Sequence, residues 1–342
     1  MTSFKRWMKR ILIGVLALVA TAIMIGSGYE AKMRRRNVQD YPVPGRLVDI
    51  GGRKIQLDCR GSGSPLVVLE AGLDMNGSLS WVKVHDSIAV TTRTCAYSRA
   101  GVMWSDDNPG RQSATMIATD LQAALVAGGE KPPYVMVGHS LGGPYIMTFT
   151  KLHQADVAGL VFVDASHPEQ IQRFKEVLGR KLEPPVGMIK AAAALAWTGI
   201  VRIAMPGKSA PDRVGQTTAA YAPTSLGPML EEMDAIDSTM AEAGSFRQLG
   251  NRPLVVLTAM APTDTAQLKQ MKMSREESVK FQAAWKMMHD DEASWSTQSE
   301  HIIVPDATHY IQYDRPDIVI AAVRKVVGLV RNPVTAAEGQ RR

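Results

Sequence analysis

Cysteine is nearly absent from this chain: only Cys59 and Cys95 occur in 342 residues. Two cysteines cannot build a disulfide scaffold, and their spacing fits no zinc motif. A single bridge in an oxidising compartment and two buried thiols both stay open. Aromatic residues are sparse at 6% and charged residues modest at 21%, whereas 45% of the chain is hydrophobic, enough for a sizeable core. A basic folded surface is also lacking. The net charge is +6, but residues 1–36 hold eight lysines and arginines against the single acid Glu30, which leaves the remainder close to neutral. With neither a basic face nor a reading element, no nucleic-acid partner is expected. No internal repeat is visible, and no metal or cofactor is called for.

What is present first is a long apolar run, Ile11 to Ile25, continuing through Gly26-Ser27-Gly28-Tyr29 and bracketed by the basic clusters Lys5–Arg10 and Lys32–Arg36. It reaches the lower end of bilayer-spanning length. It is long for a secretory signal, and no clean Ala-x-Ala site follows. Residues 1–30 therefore predict an uncleaved membrane anchor, with a cleaved signal and a secreted body as the alternative. Both flanks are basic, which blunts the positive-inside rule. An N-inside topology with the body exported is expected. Residues 31–45, with three arginines and Pro42-Val43-Pro44, predict a polar linker.

From residue 46 the pattern changes to short apolar runs. They are Arg46–Ile50, Lys54–Cys59, Leu66–Glu70, Thr94–Tyr97, Tyr134–Gly138, Gly159–Asp164, Leu254–Thr258 and His301–Val304. Several are continuous Val/Ile/Leu stretches suited to strands covered on both faces. The first two read as a hairpin through Gly51-Gly52. Helical stretches at Ser113–Ala127, Leu141–His153 and Pro316–Val330 alternate with the later strands, which predicts a mostly parallel α/β sheet. The interval between Asp164 and Leu254 holds no clear strand and far exceeds one crossover. A helical insertion over 167–250 is expected, on a core of 46–166 and 251–332, with a flexible tail at 333–342. Its methionines (Met188, Met205, Met229, Met233, Met240) suit either a pliable apolar surface or packing onto the core.

The most informative stretch is Tyr134-Val-Met-Val-Gly138-His139-Ser140-Leu141-Gly142-Gly143. A β-type run, a Gly-x-Ser-x-Gly turn and a helix-compatible segment follow one another. On such a turn the Ser140 hydroxyl projects above the sheet edge. Gly138 and Gly142 remove β-carbons where strand and helix nearly touch. The free amide of Leu141 at the helix start can stabilise an oxyanion.

With these residues in view the chain resembles the α/β-hydrolase superfamily, in its esterase-like and proline-iminopeptidase-like branch. Further matching segments are Leu69–Leu73, Tyr97–Gly101, Val163–Pro168 and Thr308–Tyr310, so the likeness covers nearly all of 46–331. The resemblance implies an eight-stranded sheet with a helical cap inserted after the sixth strand. It implies a triad in the order serine, acid, histidine, with His309 before the last helix as base. The acid is implied to be Asp164, at the tip of the sixth strand, with Asp264, somewhat late after the seventh, as the alternative. The second oxyanion donor is implied to be the amide of Leu73, reached through Gly72. The second and fourth strands are neighbours in this superfamily, which makes a Cys59–Cys95 bridge plausible. Arg99 reads as a structural salt bridge in preference to a substrate ligand.

The function expected is hydrolysis of a small-molecule ester or amide through an acyl-enzyme, without metal or cofactor. A proline-iminopeptidase-like aminopeptidase would need cap carboxylates for the substrate amine, for which Glu231, Glu232 and Asp234 are candidates. A lactonase is compatible with the same residues. A membrane-anchored binding protein that kept only the fold is the rival from another class.

Overall fold

The computed structural model describes residues 2–108, 110, 112–182, 186–207 and 210–333. The tail expected at 333–342 lies, beyond Pro333, outside the described residues. In chain order the first elements are α1 (Thr2–Asp40), β1 (Arg46–Asp49), β2 (Lys54–Arg60), β3 (Leu66–Glu70), α2 (His85–Ala89) and β4 (Thr94–Ser98). Then come α3 (Ala114–Ala127), β5 (Tyr134–His139), α4 (Gly142–Leu152) and β6 (Val157–Val163). Five helices follow: α5 (Gln170–Leu178), α6 (Val186–Leu195), α7 (Ile200–Ala204), α8 (Arg213–Asp234) and α9 (Ile236–Gly244). The chain closes with β7 (Leu254–Ala259), α10 (Thr265–Met271), α11 (Arg275–Ser294), β8 (Ser299–Val304), α12 (Ile311–Asp314) and α13 (Pro316–Arg331).

The eight strands form one sheet in the order β1-β2-β4-β3-β5-β6-β7-β8. β1 and β2 pair antiparallel, β2 is antiparallel to β4, and every pairing from β4 to β8 is parallel. Each central strand is covered on both faces, so its successive side chains enter two different cores. In β3, Leu66 and Val68 pack towards α3 and α4, whereas Val67 and Leu69 pack towards α2 and α13. The crossovers place every β5-to-helix type of turn on the same edge, the carboxyl ends of the parallel strands, where a doubly wound sheet offers a crevice. The insertion α5–α9 between β6 and β7 lies over that edge.

One expectation is corrected here. Residues 31–40 are not a linker, because α1 runs unbroken to Asp40. Clustered charges are compatible with a helix when they pair one turn apart. Arg34 meets Glu30 and Arg36 meets Asp40, each at 2.8 Å. The Nδ2–H of Asn37 also donates to the carbonyl of Ala220 in α8 at 2.6 Å. The helix stops only where Pro42 restricts Tyr41, which disfavours helical backbone before it.

Cys59 and Cys95 face each other in the β2–β4 register and are joined by a disulfide. The bridge closes a span of 36 residues, and removing it should cost roughly 4 kcal/mol by loop-closure entropy. Alkylation of the unreduced protein should find no thiol, and Cys59→Ser/Cys95→Ser should unfold at lower urea concentration. Two alkylated thiols in the native protein would contradict the bridge.

Candidate active site

The centre of the site is a backbone constraint at Ser140. Between β5 and α4 the chain reverses within this one residue, whose φ of 52° lies in the left-handed region that non-glycine residues rarely occupy. The surroundings enforce it. A β-carbon at Gly138 would lie 2.6 Å from the carbonyl oxygen of Gly142, and one at Gly142 would lie 2.5 Å from that of Glu70. The Ser140 carbonyl is held twice, accepting from the amides of Gly143 at 2.9 Å and Ser166 at 2.8 Å. The side chain is thereby aimed off the sheet edge.

His309, on the loop between β8 and α12, reaches that hydroxyl. The Oγ–H of Ser140 donates to His309 Nε2 at 2.9 Å, and His309 Nδ1–H donates to Asp164 Oδ2 at 2.6 Å. Asp164 follows β6 with a φ of 47°, a second strained residue facing the first. Its other oxygen accepts from the Ala259 amide at 2.8 Å and from Trp285 Nε1–H at 2.9 Å. Burial alone would raise this carboxyl. The hydrogen bonds and charge of His309, with His289 and Trp285 behind, outweigh it and hold the acid below its ordinary value. The carboxylate is buried at 3% exposure while His309 is 42% exposed, so of the two the imidazole is the more open to incoming molecules.

The two candidate acids now separate. Asp164 meets the imidazole, whereas Asp264 is exposed and caps α10, accepting from the Gln267 amide in a reciprocal capping box. Asp306 is taken up by Arg315, and His167 by Asp291 and the Glu169 amide.

The loop after β3 presses against Ser140, since a β-carbon on Gly72 would lie 2.9 Å from that of Ser140. Arg99, 4% exposed, fixes this loop from below. Its guanidinium donates to the carbonyls of Ala71 at 2.8 Å and Gly72 at 2.7 Å. In a trans peptide the N–H points opposite to the C=O. Holding the Gly72 carbonyl on Arg99 therefore turns the Leu73 amide the other way. Among the described residues neither the Leu73 nor the Leu141 amide donates to a protein acceptor.

Arg99 also joins core to cap. It bridges Glu70 of β3 at 2.8 Å and, through two nitrogens, Glu232 of α8 at 2.8 and 2.9 Å. Tyr97 and Tyr145 donate their hydroxyls to Glu70 and Glu232. Burial raises both carboxyls, Glu70 to about 7, with Arg99 opposing the rise. This occupation removes Glu232 from the candidates for holding a substrate amine. Asp234 accepts from Lys190 at 3.1 Å, and none of Glu231, Glu232 and Asp234 lines the cavity at Ser140.

That cavity has a volume of about 450 Å³. Its wall is not the cap alone. Phe174 of α5 stacks on Phe281 of α11 at 4.1 Å, with Trp285 alongside, so the excursion between β7 and β8 supplies half of it. Apart from Asp164 and His309, the polar lining consists of neutral side chains such as Gln170, Gln282, Thr263 and Ser278.

The chain matches the alpha/beta hydrolase family over residues 58–322. The chain belongs to that family. An uncharacterised protein of Bacillus subtilis, YqjL, is 26% identical over 271 residues, 78% of this chain and 85% of that protein. The chain spans less than half the length of other curated relatives it matches, from 18% to 41%. Among solved structures, a probable hydrolytic enzyme from Pseudomonas aeruginosa superposes with a TM-score of 0.60 at 17% identity, covering 80% of this chain and 90% of that one. A thermophilic esterase from Thermogutta terrifontis gives 0.53 at 18%, covering 83% and 98%. At that identity the likeness is one of fold.

Two partners of the candidate triad had no signature in the sequence beyond their residue type. Trp285 comes from a helix 121 residues after Asp164. His139 is buried and donates from Nε2 to the His309 carbonyl at 2.9 Å, tying the loop of one candidate residue to the neighbour of another.

Two predictions follow from these buried groups. Arg99→Ala leaves two carboxylates without their cation and should cost about 3–5 kcal/mol, read as a lower urea midpoint. The second concerns pH. Burial, with His309 nearby, pushes the His139 imidazole down to about 3, and burial pushes that of His289 down to about 4. Below about pH 6.5 the unfolded chain takes up protons at both rings that the folded chain refuses. Stability should therefore fall as pH drops from 7 towards 4, and the fall should be shallower in His289→Asn. An equal slope in that variant would assign the acid sensitivity elsewhere.

Proposed function

We propose that this protein is a membrane-anchored serine hydrolase that cleaves an ester bond of a neutral acyl substrate. The observation that carries the reading is the unbroken relay from the Ser140 hydroxyl through His309 to Asp164, at 2.9 and 2.6 Å. Ser140 attacks the carbonyl as His309 Nε2 takes its proton, and Asp164 holds the tautomer and stabilises the imidazolium. The amides of Leu73 and Leu141 receive the oxyanion. His309 returns the proton to the leaving alcohol, and a water activated by the same nitrogen releases the acid.

An ester is favoured over an amino-terminal amide by the cavity. Among the described lining residues no carboxylate other than Asp164 is present to hold a substrate amine, whereas Phe174, Phe281 and Trp285 offer an apolar wall. A lactone, being a cyclic ester, fits the same machinery. The N-terminal helix α1 contains a stretch long and apolar enough to cross a bilayer, none of it buried against the body. We take it as the anchor, with the catalytic body exported; a disulfide between Cys59 and Cys95 suits an oxidising compartment.

A fluorophosphonate probe should label the wild type at Ser140 and leave Ser140→Ala unlabelled, with p-nitrophenyl ester hydrolysis lost in parallel. Asp164→Asn should lower kcat by about 10⁴, while Asp264→Asn should stay near wild type. A folded protein that neither labels nor turns over any ester in the panel would identify a binding protein instead.

A further inference from the structure

The cap carries an outward apolar face that the core does not use. On α6, α7 and the turn between them, Met188, Trp197, Ile200 and Ile203 are 77%, 54%, 50% and 69% exposed. The inner face of the same segment is satisfied separately, with Ala196 and Val201 packed on Ala222 and Leu226 of α8. From Val186 to Gly207 there is no acid, and each of the two cations is engaged. Lys190 bonds to Asp234, and Arg202 donates to buried Glu30 of α1 at 2.7 and 3.0 Å.

That last bond shows where the face lies. α1 docks on the cap from Gly26 to Asn37. A β-carbon at Gly26 would lie 2.2 Å from the Thr198 carbonyl oxygen, and one at Gly199 would lie 2.8 Å from that of Gly26. About 20 helical residues span a bilayer core, and counted from Ile11 they end near Glu30, just before the basic group Lys32–Arg36. Gly26 therefore sits at the edge of the apolar zone, and the cap residues touching it share that depth. Trp197 adjoins Thr198, at the level where tryptophan is favoured in membranes.

We propose that the outward face of α6 and α7 is a second membrane contact, seated at the headgroup–acyl boundary of the leaflet from which α1 emerges. The proposal rests on α1 being a membrane anchor. The occupant is lipid because the face is continuous with the lipid-facing surface of α1 and lies beside a basic belt that suits anionic headgroups.

Because Cys59 and Cys95 are bonded to each other, one added cysteine gives a single labelling site. Full-length Ile203→Cys, Met188→Cys, Leu18→Cys and Val90→Cys would each carry an environment-sensitive fluorophore in nanodiscs of phosphatidylcholine and phosphatidylglycerol with brominated acyl chains. Val90, 85% exposed, precedes the start of β4 at the sheet edge opposite the cap and serves as the water-facing control. The labels at 203 and 188 should be quenched several-fold more than the one at 90, approaching that at 18. Quenching at 18 with 203 and 188 behaving like 90 would overturn the proposal while leaving the anchor in place. An unquenched label at 18 would remove the anchor and the proposal together. Labels at 203 and 188 shielded from water without bromine quenching, in a concentration-dependent way, would assign the face to a second copy of the chain.

Discussion

The site depends on how closely three pieces of backbone approach at the carboxyl edge of the sheet. β5 must turn into α4 within Ser140, the loop after β3 must lie against that turn, and the segment after β6 must donate the Ser166 amide to the Ser140 carbonyl from the other side. Each approach excludes a β-carbon at a particular place: Gly138 and Gly142 in the turn, Gly72 in the loop, and Gly143 against Ala165, where a β-carbon would come within 2.6 Å of the alanine's. Ser140 is left with a backbone conformation it would not choose in isolation, and the surrounding packing holds it there. A hydroxyl on a relaxed loop would sample many directions. Here it has one.

Arg99 extends that constraint into the cap. Its guanidinium is spent on four groups at once: two carbonyls of the β3 loop, a core glutamate and a cap glutamate. A lysine could supply the charge but not the planar fork that reaches all of them. The cost of burying this cluster is high, and the carboxyls respond by shifting upwards. In return the candidate oxyanion loop and the cap helix α8 share a single anchor, so neither moves without disturbing the other.

How much of this could be read beforehand divides along the range of the interactions. The strand pattern, the insertion and the turn at Gly138–Gly142 are local: apolar runs, a long strandless interval and a five-residue motif. His309 and Asp164 were reachable only through the chain order of a familiar family, and the choice between Asp164 and Asp264 stayed open because both follow a strand in a plausible place. The structure separates them through a local competitor, since Asp264 satisfies the first turn of α10. Trp285 and His139, and for Arg99 the partners of the salt bridge expected of it, were hidden for a different reason. Their partners are distant in sequence, and tryptophan, histidine and arginine in helices or turns have many bland uses. Residues 31–40 misled in the opposite sense. Arginines before a Pro-Val-Pro segment resemble a linker, yet the same arginines form pairs one helical turn apart, and the docking of Asn37 on α8 depends on tertiary context that composition does not carry.

A continuous helix would change what the proposed anchor does. Were residues 31–45 a flexible tether, the body would sample many orientations relative to the bilayer, and the exposed face of α6 and α7 would need another explanation. Glu30 is clamped by Arg202 and Asn37 is bonded to α8, so helix and cap are joined at two points, and on the proposed anchoring the direction of α1 would set which face of the cap looks at the membrane. The face it would select carries Met188, Trp197, Ile200 and Ile203, from a segment without an acid. The carboxyl edge of the sheet, with Ser140, lies beneath that same cap. On the proposed anchoring and activity, an amphiphilic ester held in the leaflet would lie closer to Ser140 than to the far edge where Val90 sits, and the close backbone contact between Gly26 and Thr198 would set both membrane orientation and substrate supply.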